Sequence, residues 1–347
     1  MSKCDLYMVF DREDPTYQIG EDVVGAVRIS VNKDSACKRI FLRKEWRTHG
    51  RGNRDHGGRE EIDLTAGEQV HLRAGEEKNL AFRFPVPNGP VSYHGHYLNV
   101  DWYARVQVDI PWAADPKVEK EFLVVPGPEP GSVEQGDVRS KGVDLTTANL
   151  SAAKGCFALF GLVFVLAGLS TMGVGLFMIP TEGGWVGKAV FAGIGMLFTL
   201  VGLGIGWFAM RNKLARRKLG EVTVETEPRD VRPGQTLVTT VRCAPQVGTR
   251  LESISATLRG NEVAVSGSGT NRSTHTHEIQ QDRQEQTWPR TPCTGQPLQV
   301  SFSHTVSEDA PATFMADDNQ VFWTLVVQIK LKGWPDWANT FPVTVRP

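Results

Sequence analysis

The sequence predicts a mainly β protein in which two immunoglobulin-like β-sandwiches flank a two-helix transmembrane hairpin. Three observations carry that expectation. Two apolar runs, Cys156–Ile179 and Ala189–Met210, lie side by side in mid-chain and contain no Asp, Glu, Lys, Arg or His. The segments on either side alternate apolar and polar residues with a period of two. Landmarks of the first segment return in the same order in the second. The resulting division is a sandwich over 1–125, a linker over 126–153, a hairpin over 154–218 with helices at 156–179 and 189–210, and a second sandwich over 219–347.

Each apolar run exceeds the ~20 residues that a helix needs to cross a ~30 Å hydrocarbon core. Neither keeps the polar stripe of a helix buried in a soluble protein. The segment Pro180–Lys188 between them contains Pro180, Gly183, Gly184 and Gly187, the composition of a turn. Both ends of the hairpin therefore emerge on one side. Arg211, Lys213, Arg216, Arg217 and Lys218 follow the second run, and Arg139, Lys141 and Lys154 precede the first, whereas the turn carries only Glu182 and Lys188. Positive charge on both outer flanks predicts a multi-pass inner-membrane protein with cytoplasmic termini and sandwiches. Met1–Phe10 lacks the apolar core of a signal peptide. Cys4, Cys37, Cys156, Cys243 and Cys293 are scattered without a CxxC pair, a usage that suits a reducing compartment.

In Leu98–Ile110 one face carries Leu98, Val100, Trp102, Ala104, Val106, Val108 and Ile110, and the other Asn99, Asp101, Tyr103, Arg105, Gln107 and Asp109. That is a strand with one face in a core and one in water. Val321, Trp323, Leu325, Val327, Ile329 and Leu331 alternate likewise, with Trp323 in the place of Trp102. Tyr17-Gln-Ile-Gly20-Glu corresponds to Val231-Arg-Pro-Gly234-Gln, Ile40 and Leu42 to Ala256 and Leu258, Phe82 and Phe84 to Val300 and Phe302, and Phe122 and Val124 to Phe341 and Val343. Matches in one order predict an internal duplication.

These landmarks also carry a family resemblance. Gly20-Glu-Asp-Val-Val-Gly25-Ala-Val resembles the glycine-led strand of arrestin-like domains, and Cys37-Lys-Arg-Ile40 the start of their next strand. Phe82-Arg-Phe-Pro-Val-Pro-Asn-Gly-Pro-Val-Ser-Tyr93, leading into Val100-Asp-Trp-Tyr-Ala-Arg-Val-Gln-Val-Asp109, is similar to that family's F-x-F…P-S-Y segment and the strand after it. The resemblance covers nearly all of 1–125 and extends to 221–347 through the duplication. It implies tandem arrestin-type sandwiches, as in arrestins and bacterial sporulation-control proteins, acting as adaptors or scaffolds without catalysis. A membrane hairpin between the two domains departs from the family's short hinge.

The two tethers differ. Residues 126–153, opening with Pro126, Gly127, Pro128, Pro130 and Gly131, read as a leash with a span on the order of 30 Å, leaving the first sandwich free to move. Only Leu219 and Gly220 separate the basic stretch from the second sandwich, which is held close to the bilayer. Arg211, Lys213, Arg216, Arg217 and Lys218 are placed among anionic headgroups. Thr171 with Gly175, Ala189 with Gly193, and Gly202 with Gly206 stand at small-xxx-small spacing, which packs the hairpin on itself or pairs two copies as a homodimer.

Chemistry leaves few traces. There is no Gly-rich phosphate loop, G-x-S-x-G elbow or HExxH. His94-Gly-His96 and His275-Thr-His277 place two rings on one strand face at a spacing that Zn²⁺ accepts, so His94, His96, His275 and His277 are metal candidates without an evident third ligand. His49, His56, His71 and His304 read as solvated. Arg43–Arg59 is a basic, glycine-rich loop whose Arg43, Lys44, Arg47, Arg51, Arg54 and Arg59 could meet a partner or headgroups. A formal net charge of −1 and the lack of an aromatic ladder exclude nucleic acid. Tryptophans at strand ends, Trp112, Trp334 and Trp337, read as core-edge packing or exposed anchors.

The resulting expectation is a membrane-anchored, non-enzymatic adaptor that needs no cofactor and binds protein partners at the cytoplasmic face. The alternatives are a structural subunit of a larger membrane assembly, packed through the glycine-rich hairpin, and a zinc-dependent hydrolase built on the histidine pairs.

Overall fold

The computed structural model describes residues 2–112, 114–127, 147–177, 185–288 and 293–347. Most of the expected linker, with Arg139 and Lys141, and the turn at 178–184 lie outside the described residues. The chain is mostly β, arranged as two sets of sheets, with two long apolar helices between them in sequence.

The first half contains β1 (Cys4–Phe10), β2 (Thr16–Gln18), β3 (Asp22–Val31), β4 (Ser35–Cys37), β5 (Arg39–Gly50), β6 (His56–Asp63), β7 (Val70–Leu72), β8 (Glu77–Pro85), β9 (Tyr93–His94), β10 (Leu98–Asp109) and β11 (Lys117–Val125). A sheet ordered β1-β3-β8 faces one ordered β2-β11-β10-β5-β6, with β9 on β10 and a small β4-β7 pair to the side. Alternation supplies the core between the sheets. Met8, Val27, Phe82 and Phe84 point in from one, and Ile40, Leu42, Trp102, Val106 and Phe122 from the other.

The helices are α1 (Thr147–Phe177) and α2 (Trp185–Leu219). The second half contains β12 (Thr223–Glu227), β13 (Asp230–Val231), β14 (Thr236–Cys243), β15 (Leu251–Ser266), β16 (Ser273–Thr287), β17 (Leu298–Thr305), β18 (Phe314–Met315), β19 (Asn319–Leu331) and β20 (Trp337–Val345). Its sheets run β12-β14-β17 and β13-β20-β19-β15-β16, with β18 on β19, the order of the first half strand for strand. Details below the level of topology repeat as well. Trp102 Nε1 donates to Pro90 O at 2.8 Å, and Trp323 Nε1 to Pro311 O at 3.1 Å. Gln107 and the Ile110 amide share Asp115 as Gln328 and the Leu331 amide share Asp336. The Val124 amide donates to Ser92 Oγ as the Val345 amide donates to Thr313 Oγ1. All these pairs share one offset, 221 residues, so the halves are copies.

The ladders correct the expected alignment by two residues in three places. Leu42 pairs with Val106 and Ala256 with Val327, so Leu42 corresponds to Ala256 and Ile40 to Ile254. Phe82 and Phe84 correspond to Phe302 and His304, and Phe122 and Val124 to Val343 and Val345. An alternating pattern is unchanged by a two-residue slip, so it fixes the face but not the position along the strand. The jump in offset falls at the β15–β16 hairpin, whose strands of 16 and 15 residues replace the 12 and 8 of β5 and β6. At Gly260, which has no side chain to clash, the Trp323 ring lies 2.7 Å from where a Cβ would sit.

Helix α1 begins inside the segment expected to be linker: 147–153 is helical, in keeping with its alanines and its lack of Gly or Pro. The stretches Leu159–Phe177 and Trp185–Phe208 are long and apolar enough to cross a membrane and are mostly exposed. They pack on each other through glycines seven apart. Gly161 lies against the Gly202 carbonyl, and Gly168 against Gly195 and Thr199. Gly206 meets Gly161 through its backbone nitrogen, whereas Gly193, expected to pack, faces open space. The basic end of α2 docks on the second sandwich along one stripe: Asn212 exchanges hydrogen bonds with the Ala338 backbone, and Ala215 and Leu219 are buried in the second core.

Candidate functional site at the junction of the sandwiches

The first sandwich is not free: it is joined end to end with the second at the close of β5, the start of β10, the start of β19 and the far end of β15. Glu262 of β15 is fully buried. Its carboxylate accepts the backbone N–H groups of His96 at 2.9 Å and of Tyr97 and Leu98, and the Tyr93 hydroxyl at 3.2 Å. Successive amides converging on one carboxylate form a cradle that compensates the desolvation of the charge. Gly95 makes the approach possible, since a Cβ there would fall 2.6 Å from Glu262 Oε2. Burial, followed by the Glu262 charge, pushes the Tyr93 phenol well above its ordinary range.

A second set of bonds crosses a few residues away. Asn319, 1% exposed, donates to Thr48 Oγ1 at 3.0 Å, the Asn53 carbonyl at 2.6 Å and Asp55 Oδ2 at 2.7 Å. Asp55 also accepts the Asp318 amide at 3.1 Å, and its carboxyl is raised above the ordinary carboxylate range, chiefly by burial. Asn53 pairs with the backbone of Gly267 in both directions and donates to Asp318. Leu98, Val100 and Val321 fill the space between these polar sets, with Tyr93 and Phe314 at the border.

The junction has an internal symmetry. Thr48 stands where Glu262 stands in the second copy, and Leu98 where Asn319 stands, because Thr48 pairs with Val100 and Glu262 with Val321. Glu262 takes the Leu98 amide, and Asn319 gives to Thr48. Equivalent positions thus meet reciprocally, the arrangement of a two-fold homodimer contact, here between two copies in one chain.

The metal candidates are placed differently from the expectation. His96 and His277 meet across the junction as stacked rings, centroids 4.5 Å apart, with Tyr97 beside them and Arg51 over the Tyr97 ring. Their faces, rather than their ring nitrogens, are opposed. His275 lies near Ser266 and Tyr97. His94 turns to Asp101, with Nε2 2.7 Å from Oδ1, and His49 Nε2 is 3.1 Å from Oδ2 of the same carboxylate. His304, read as solvated, is fully buried and bonds Asp282 at 2.8 Å.

The basic segment 43–59 is largely strand β5 and the start of β6 rather than a loop. Arg43 pairs with Glu61, Lys44 with Glu60, Arg47 with Glu45 and Glu119, and Arg59 with Glu61. Arg54 lies between β5 and β6. On α2, Lys213, Arg216 and Arg217 are exposed, Arg211 covers Phe208, and Lys218 covers Trp334. Trp337 is buried, whereas Trp112 is fully exposed with a positive φ of 62°.

The fold and this junction define a tandem β-sandwich protein with an apolar helical hairpin between its halves. No known protein family matches the chain, and no curated protein matches it. Among solved structures it is similar to Spo0M, the sporulation control protein from Bacillus subtilis, at 17% identity and a TM-score of 0.31, over 36% of this chain and 50% of that one. The match thus spans half the length of that chain.

Proposed function

We propose that the protein is a membrane-anchored, non-enzymatic adaptor: two docked β-sandwiches carried on a helical hairpin and offered as one platform to protein partners at the cytoplasmic face. The observation that carries this reading is the continuity of the assembly. The exposed apolar helices continue into the stripe Asn212, Ala215 and Leu219 on the second sandwich, and Glu262 and Asn319 join that sandwich to the first. Basic residues on both outer flanks of the apolar runs in the sequence favour cytoplasmic sandwiches. In this arrangement Lys213, Arg216 and Arg217 meet anionic headgroups, each contributing roughly 1 kcal/mol. Edge strands such as β1 and β6 offer backbone groups for strand addition by a partner.

In-cell photo-crosslinking from the sandwich surfaces, followed by mass spectrometry, tests the proposal. The expected result is a specific protein captured on the sandwiches, retained when the hairpin is replaced by an unrelated two-span hairpin. Capture confined to the native hairpin and lost on that replacement contradicts it. That outcome would instead favour the assembly-subunit reading, to which the open faces at Gly193 and Gly204 lend support.

A further inference from the structure

A group of ligating side chains lies on the outer face of the first sandwich, outside the junction. His94 Nε2, an Asp101 carboxylate oxygen and a Glu121 carboxylate oxygen all lie within 4.8 Å of one another. They come from three adjacent strands, β9, β10 and β11, and the register explains the grouping. Asn99 is flanked by His94 on one side and His49 on the other, Asp101 is two residues further along the same face, and Glu121 sits opposite Tyr103, the next position on that face. His49 Nε2 reaches the second Asp101 oxygen at 3.1 Å.

Asp101 is the unusual member. It is 1% exposed, and its Oδ2, although 3.1 Å from His49 Nε2, makes no hydrogen bond of good geometry. A buried carboxylate oxygen without a donor is costly, because desolvation is not compensated. Two carboxylates close together on one face also hold an excess of negative charge. A divalent cation would supply both the missing partner and the missing charge.

We propose that His94, Asp101 and Glu121 form a binding site for a divalent cation of the zinc type, with His49 set against the second Asp101 oxygen. One imidazole nitrogen and two carboxylate oxygens make a three-ligand nitrogen–oxygen set that Zn²⁺ accepts, with a water completing four-coordination. The ion would tie together β9, β10 and β11. It would also fix the bend from His94 to Leu98, whose amides hold Glu262, so that metal binding stiffens the junction from the first sandwich's side. His96, His275 and His277 take no part.

The test uses full-length protein in detergent, stripped with a chelator and titrated with Zn²⁺, with Co²⁺ as a spectroscopic probe. The expected result is one Zn²⁺ per chain, a rise in melting temperature, and visible bands of four-coordinate Co²⁺. His94→Ala and Glu121→Gln alter exposed side chains, so folding is not at stake, and each should weaken Zn²⁺ by at least ~10-fold. Asp101→Asn should abolish binding, whereas His71→Ala and His277→Ala should leave it unchanged. The proposal is overturned if no stoichiometric Zn²⁺ binds, or if His277→Ala removes it as fully as His94→Ala. Asp101 would then be a polar staple between two histidines.

Discussion

The two sandwiches share strand order, ladder register and several side-chain hydrogen bonds, yet they divide the labour at their junction unequally. The first copy contributes Thr48 and Leu98, and the second contributes Glu262 and Asn319 at the equivalent positions. The cores diverge as well. Phe84 in the first copy packs 5.8 Å from Phe122, whereas its counterpart His304 is buried against Asp282 with Nε2 unpartnered. Among the described residues, the second copy alone also receives a helix, α2. The comparison teaches that a duplicated β-sandwich specialises through a few buried polar substitutions while the alternation that builds its core is kept.

The tryptophan pair breaks both copies at the same point. Trp102→Ala and Trp323→Ala each remove a ring that is 1% exposed and a hydrogen bond to a proline carbonyl. Each should cost about 3–5 kcal/mol, read as a loss in denaturant midpoint, and equal losses would mark the copies as energetically equivalent. Next comes the junction. Glu262→Ala strands buried amides and should cost about 3 kcal/mol, whereas Thr48→Val, at the equivalent position of the first copy, removes one hydrogen bond across the junction and those to the Asp55 backbone and should cost about 1–2 kcal/mol. Similar losses for the two would contradict the unequal division.

A smaller effect concerns pH. The Asp55 carboxyl is raised by burial in the folded protein. Its contribution is therefore fully present below the unfolded value and is lost as pH rises through the folded one. Relative to wild type, Asp55→Asn should gain stability at neutral pH and lose that advantage on acidification, measured as melting temperature against pH. The smallest effect tests the cores. His304→Phe makes the second core resemble the first and should be neutral or stabilising by up to ~2 kcal/mol, because a half-satisfied buried polar group is exchanged for packing. A large loss would show that the His304–Asp282 bond is required.

Much of the fold was legible because alternation reports burial directly: the inward residues of 98–110 and 321–331 are the buried ones. Their placement along the strands was not, since period two is blind to a two-residue slip. The site was harder to read for a related reason. Asp101 and Glu262 occupy polar faces, and Asp101 alternates as a solvent-facing residue should. Its burial comes from strands and loops distant in sequence, and that of Glu262 from the other sandwich. The histidine pairs drew attention to the right turn, yet His94 and His96 part company there, one to Asp101 and the other to His277. The arginines of 43–59 read as a free basic loop because Glu60 and Glu61 come to face them only when β6 pairs with β5, and Glu119 only when β11 joins β10.

Amide hydrogen exchange of the intact protein, compared between wild type and Glu262→Ala, tests the docked junction most directly. The account predicts that the His96, Tyr97 and Leu98 amides are protected in wild type and lose protection in the variant, while amides in the middle of β10 stay protected in both. Rapid exchange of those three amides in wild type, or protection indifferent to the loss of the carboxylate, would contradict it.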